Sequence, residues 1–151
     1  MSVERALPVK RPIGFWIGWI LAVAVIVHLD WHLGRPHHIP LSLAFPHHWV
    51  VGLITGFALG SHATRSNPSH ATRLFVLVGA LGLFAGQVLE PIGEVLVYDD
   101  VTFTSVYPFV RWRLFGQFAM AFVVGGAAVL IAHHRRAQAA LMATSVRSGH
   151  V

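Results

Sequence analysis

The chain has no cysteine anywhere in its 151 residues. That excludes disulfides, thiolate-bound zinc and thiol redox chemistry. Charge is nearly as scarce. Asp, Glu, Lys and Arg make up 11% of the sequence, against about 25% in a soluble domain. Hydrophobic residues make up 55%, and the mean hydropathy is +0.63, so long tracts carry no ionic group to hold them in water. The usual local signatures of catalysis are missing too. The sequence contains no phosphate loop, no dinucleotide fingerprint and no Gly-x-Ser-x-Gly elbow. It has neither His-Glu-x-x-His nor the Glu-x-x-His pair of di-iron bundles.

The net charge of +5 and pI near 11.1 raise the question of nucleic acid. The basic residues stand at the tips of apolar runs, however, and not along one face, which excludes nucleic acid as the partner and fits lipid headgroups. The chain length is that of one domain, residues 1–151.

What is present is a series of apolar runs at about Ile13–Leu33, Trp49–Thr64, Leu74–Val97 and Val110–Ala132. A helix needs about 20 apolar residues to cross ~30 Å of hydrocarbon. The pattern therefore predicts an all-α, integral membrane four-helix bundle, with a basic tail over residues 133–151. The basic lead and first run have a signal peptide's charge layout, but the run flows into His28, Asp30 and Trp31 without a small-residue cleavage site. It is read as a retained first helix. Pro36, Pro40 and Pro46 predict that residues 34–48 do not form one regular helix, with the apolar piece Ile39–Phe45 along the membrane surface. Asn67-Pro68 predicts a turn.

Four crossings put both termini on one side, together with Arg5, Lys10, Arg11, Arg65, Arg73, Arg135, Arg136 and Arg147. The other side holds only Arg35, Arg111 and Arg113. Positive-inside bias then places the termini in the cytoplasm of a multi-pass protein of the inner membrane. His133 and His134, beside Arg135 and Arg136, read as a cytoplasmic tip that meets headgroups.

The histidines are concentrated. Six of eleven lie between His28 and His48, beside Asp30 and Arg35. Small residues three or four apart mark packing faces of membrane helices. Gly14 and Gly18 extend at helical spacing to His28 and His32; Gly52, Gly56 and Gly60 step back to His48; Gly79, Gly82 and Gly86 lead to Glu90 and Glu94. This reading predicts that His28, His32, His48, Glu90 and Glu94 converge in the outer half of the bundle. Gln87, Arg113 and Gln117 would surround them. Asp30 falls roughly 200° round the helix from His28 and is assigned to a different surface. His37, His38 and His47 read as loop or interface residues.

Ionisable groups at membrane depth are costly and need a counter-charge. Imidazole and carboxylate without thiolate suit a divalent transition metal, namely zinc, iron, manganese or copper. That suggests a metal-dependent membrane enzyme acting on a lipid-phase substrate. Other classes stay open. Glu90 and Glu94 paired with Arg111 and Arg113 would make a non-catalytic accessory or structural subunit, joined to a membrane-protein partner or to its own copies through the glycine-rich faces. His28 and His48 could hold haem b. A proton or cation path would have to cross an inner half with few polar residues.

Overall fold

The computed structural model describes residues 11–33, 41–98 and 108–148, with side chains described except at 31–33, 41–46, 90–98, 108–113 and 146–148. The described residues are all-helical, with no strand. Helix α1 is Ile13–Leu33, α2 Leu41–Ser66, α3 Ala71–Tyr98 and α4 Pro108–Ser148, with one 3-10 turn, Pro68–His70, between α2 and α3.

The chain reverses tightly between α2 and α3. Pro68 has no N–H to continue α2, and its fixed φ suits the opening of a new turn. The Asn67 amide closes α2 on the Ala63 carbonyl at 3.0 Å, and the His70 amide reaches the Asn67 carbonyl at 3.1 Å. At the other end the helix runs through Pro46 from Leu41, so the apolar piece from Leu41 to Phe45 continues into α2, while residues 34–40 lie outside the described residues. Pro46 is the sixth residue of the helix, and the first four amides of any helix have no intrahelical partner. The proline therefore interrupts the ladder near its own beginning, not in its middle. The basic tail is helical as far as Ser148, since α4 continues for 41 residues.

Three segments, within Ile13–Asp30, Pro68–Leu89 and Leu114–Ser145, are long and apolar enough to cross a membrane. Helix α2 is not among them, because His47, His48, Ser61, His62, Thr64 and Arg65 dilute its apolar run. Its exposed large side chains are nevertheless Val50, Leu53, Ile54 and Phe57, one apolar stripe. The same holds elsewhere. Ile13, Ile17, Leu21, Val25 and Leu29 make a ridge along α1, each at least 49% exposed. Val76, Leu77, Leu81 and Phe84 on α3, and Met120, Val123 and Val124 on α4, are exposed as well. An apolar surface this continuous is foreign to water and suggests lipid as the surrounding medium.

Inside, α1 packs on α3 and α2 on α4, while α2 and α3 join the two pairs. Val23 and Val27 of α1 seat at Gly82 and Gly86 of α3. A Cβ at Gly82 would lie 2.6 Å from the Cβ of Val23, so only glycine admits that valine. Gly52, Gly56 and Gly60 of α2 lie against the carbonyls of Phe118, Phe122 and Gly126 on α4, and Gly125 lies against that of Leu53. Contacts this close let Cα–H groups meet carbonyl oxygens across the interface. In both pairs the residue numbers rise together, so each pair is parallel. The core fills with Leu59, Phe75, Phe118 and Phe122, and the Phe75 and Phe122 rings stack at 5.1 Å.

The glycine face predicted for α1 is not its packing face. Among the described residues nothing lies within 4 Å of a Cβ built at Gly14 or Gly18, and Leu21 and Val25 are about half exposed. The glycines at this interface belong to α3, and α1 supplies the valines that fill them. That rotates α1 so that Val23, Val27 and Asp30 point inward, at i, i+4 and i+7.

Candidate metal centre

Asp30 lies in the last turn of α1, and its inward orientation follows from the valines below it. The residue is 5% exposed. Across from it, His47 and His48 sit side by side on α2. His48 is 1% exposed, while the His47 side chain is 28% exposed and reaches the outside. The two imidazoles divide the carboxylate between them: His48 Nδ1 meets Oδ2, and His47 Nδ1 lies 3.0 Å from Oδ1. The rings are 5.5 Å apart and meet edge to face at 75°.

The two contacts differ in kind. His48 to Oδ2 is a hydrogen bond. His47 Nδ1 and Asp30 Oδ1 are close, yet among the described residues neither has a hydrogen-bond partner. The outer nitrogen of His48, Nε2, is buried in the same condition. Unsatisfied polar atoms are expensive inside a protein and more so in a bilayer. The C-terminal end of α1 adds the negative end of a helix dipole to the carboxylate's own charge. The site therefore calls for a cation.

Its donor chemistry fits one. Asp30, His47 and His48 each offer a ligand atom, and these atoms lie within 4.8 Å of one another. Two atoms bound tetrahedrally to one metal at ~2.1 Å are ~3.4 Å apart, so the widest pair has to draw in on binding. The Nδ1–Oδ1 pair of His47 and Asp30, at 3.0 Å, already subtends roughly 90° at a metal ~2.1 Å from each.

Of the predicted ligands, the structure brings His48 into this cluster. His28 is half-buried on α1, roughly 200° round from Asp30, and is not in the group. The side chains of His32, Glu90, Glu94 and Arg113 lie outside the described residues, as do His37 and His38. By backbone register Glu90, one turn beyond Gly86, is level with the end of α1, since Gly86 pairs with Val27. Gln87 is half-buried on α3. Gln117 has a buried Oε1 with no hydrogen-bond partner among the described residues. Asp30 and His47 are the members that spacing did not find, and assigning Asp30 to another surface is corrected here. The signal was its i+7 relation to Val23 along the β-branched face.

No family model, curated protein or solved structure matches this chain. The chemistry of the site has to be read from its own geometry.

Proposed function

We propose that this is a multi-pass membrane protein that binds a divalent transition metal through Asp30, His47 and His48 near the outer face. The observation that carries the reading is the convergence of three ligand atoms within 4.8 Å, two of them facing each other without a hydrogen bond. Two imidazoles and one carboxylate suit zinc or iron, and three protein ligands leave a position open for water or substrate. Such a metal could activate water or polarise an oxygen on a lipid-phase substrate at the interface, which is the route to an enzyme. In this reading α2 is a fourth crossing, shielded by its neighbours, and both termini face the cytoplasm of the inner membrane.

The decisive experiment is elemental analysis of the detergent-purified chain. About one metal per chain is expected, lost in both Asp30→Ala and His48→Ala. No stoichiometric metal after growth and purification in supplemented medium removes the proposal.

One observation favours a second reading. The hydrogen bond between His48 and Asp30 already ties α1 to α2 without a metal. Such a clamp would suit an accessory or structural subunit, with the buried charges serving only to join helices.

A further inference from the structure

At the far end of the bundle from Asp30, α2 and α4 frame a half-open cavity of about 420 Å³. Ser61 and Arg65 line it from α2, and His133 and Arg136 from α4, while Phe57 and Val129 form its apolar wall. No acidic side chain is among its lining residues. Asp30, Glu90 and Glu94 all belong to the opposite ends of their helices. The cavity thus presents two guanidiniums, an imidazole and the hydroxyls of Ser61 and Thr64, with no counter-charge among the described residues that line it.

Its apolar side is continuous with the outside of the bundle. Ile54 and Phe57 are 64% and 59% exposed, and they carry the α2 stripe up to the rim. A ligand matching both halves has an anionic phosphate at one end and a hydrocarbon chain at the other. Arginine is the side chain best suited to phosphate oxygens, and basic pockets between helices at this level of a membrane bind anionic headgroups. We propose that this cavity binds the phosphate of an anionic phospholipid, with an acyl chain lying along Ile54 and Phe57. The proposal rests on the chain lying in a bilayer and is independent of the metal.

The test uses the full-length chain in neutral detergent, with bound lipid read by native mass spectrometry. The probes are dioleoyl phosphatidylglycerol, dioleoyl phosphatidylcholine and inorganic phosphate. Phosphatidylglycerol is expected to be retained in preference to phosphatidylcholine, and inorganic phosphate alone is expected not to displace it. Arg65→Gln with Arg136→Gln should weaken retention roughly 30-fold. Arg73→Gln, at the same end but outside the cavity, should stay within about twofold of wild type on the same scale. Ala128→Trp fills the cavity without changing charge, and should also release the lipid should the arginine pair fail to fold by circular dichroism. Equal retention of phosphatidylcholine, displacement by free phosphate, or an equal loss in Arg73→Gln overturns the proposal.

Discussion

His48 on α2 and Asp30 on α1, eighteen residues apart in the chain, meet through Nδ1 and Oδ2 with both residues buried. A carboxylate accepts, so the imidazole nitrogen carries the shared proton. A metal bound at that nitrogen has to displace it. In a neutral imidazole that hydrogen can pass to Nε2 without leaving the ring, so what opposes loading is competition between metal and protons for the same nitrogens, and loading should weaken as pH falls. Calorimetric zinc titrations in buffers of different ionisation enthalpy count the protons exchanged on loading. His48→Ala should lower affinity by more than the ~10–100-fold that follows loss of an outer-shell partner. A visible Soret band in the purified protein would assign the site to haem instead.

The same pair separates metal binding from a clamp. With metal removed by a chelator, Asp30→Ala leaves two imidazoles facing a vacated, buried position. Losing one partner of a buried pair costs about 3–5 kcal/mol. Replacing Asp30 and His48 together by leucine removes both polar groups and should bring stability back to within about 1 kcal/mol of wild type. Unfolding titrated with sodium dodecyl sulfate is the measurement. If the double variant is as unstable as the single one, the pair is not what holds α1 to α2.

The helices themselves were legible because an apolar run of membrane length has few alternatives. α1 occupies Ile13–Leu33, as its run predicts. The α2 and α3 glycine stripes were legible for a related reason: Gly52, Gly56, Gly82 and Gly86 are where other chain segments come too close for a Cβ. What the pattern could not tell was which helix lends the glycine and which the knob. Gly14 and Gly18 have the same spacing as a packing stripe, yet a Cβ at either would meet no other described residue. Choosing them as the interior of α1 turned Asp30 outward and drew His28 in. One helix's rotation thus decided the candidate ligand set. The start of α2 was less legible, because the cost of Pro46 depends on its position in the helix, and that position depends on a start at Leu41.

Those glycines can be tested in opposite directions. At Gly56 a Cβ would run into the Phe122 backbone carbonyl, so Gly56→Val forces α2 and α4 apart. Overpacking of this kind costs typically 1–3 kcal/mol. At Gly18 a Cβ meets only open surface, and Gly18→Ala should stabilise α1 by roughly 0.5–1 kcal/mol through helix propensity. Measured on one scale by detergent unfolding, the two changes should have opposite signs. A destabilised Gly18→Ala would mean that α1 uses this face after all, for a partner or a second copy.

The crossing of α2 is the feature on which the topology turns. The three clearly apolar segments lie in α1, α3 and α4, while α2 carries histidines near one end and Ser61, His62, Thr64 and Arg65 near the other. Its burial against α3 and α4 and its exposed Val50, Ile54 and Phe57 would let it cross in spite of these groups. The chain has no native cysteine, so single cysteines report position without background. With four crossings, Ser69→Cys, between α2 and α3, should resist a membrane-impermeant maleimide in intact cells and react after lysis. His37→Cys, between α1 and α2, should react in intact cells. Labelling of both from the same side would leave α2 uncrossed, with Asp30, His47 and His48 at a different depth from the one proposed.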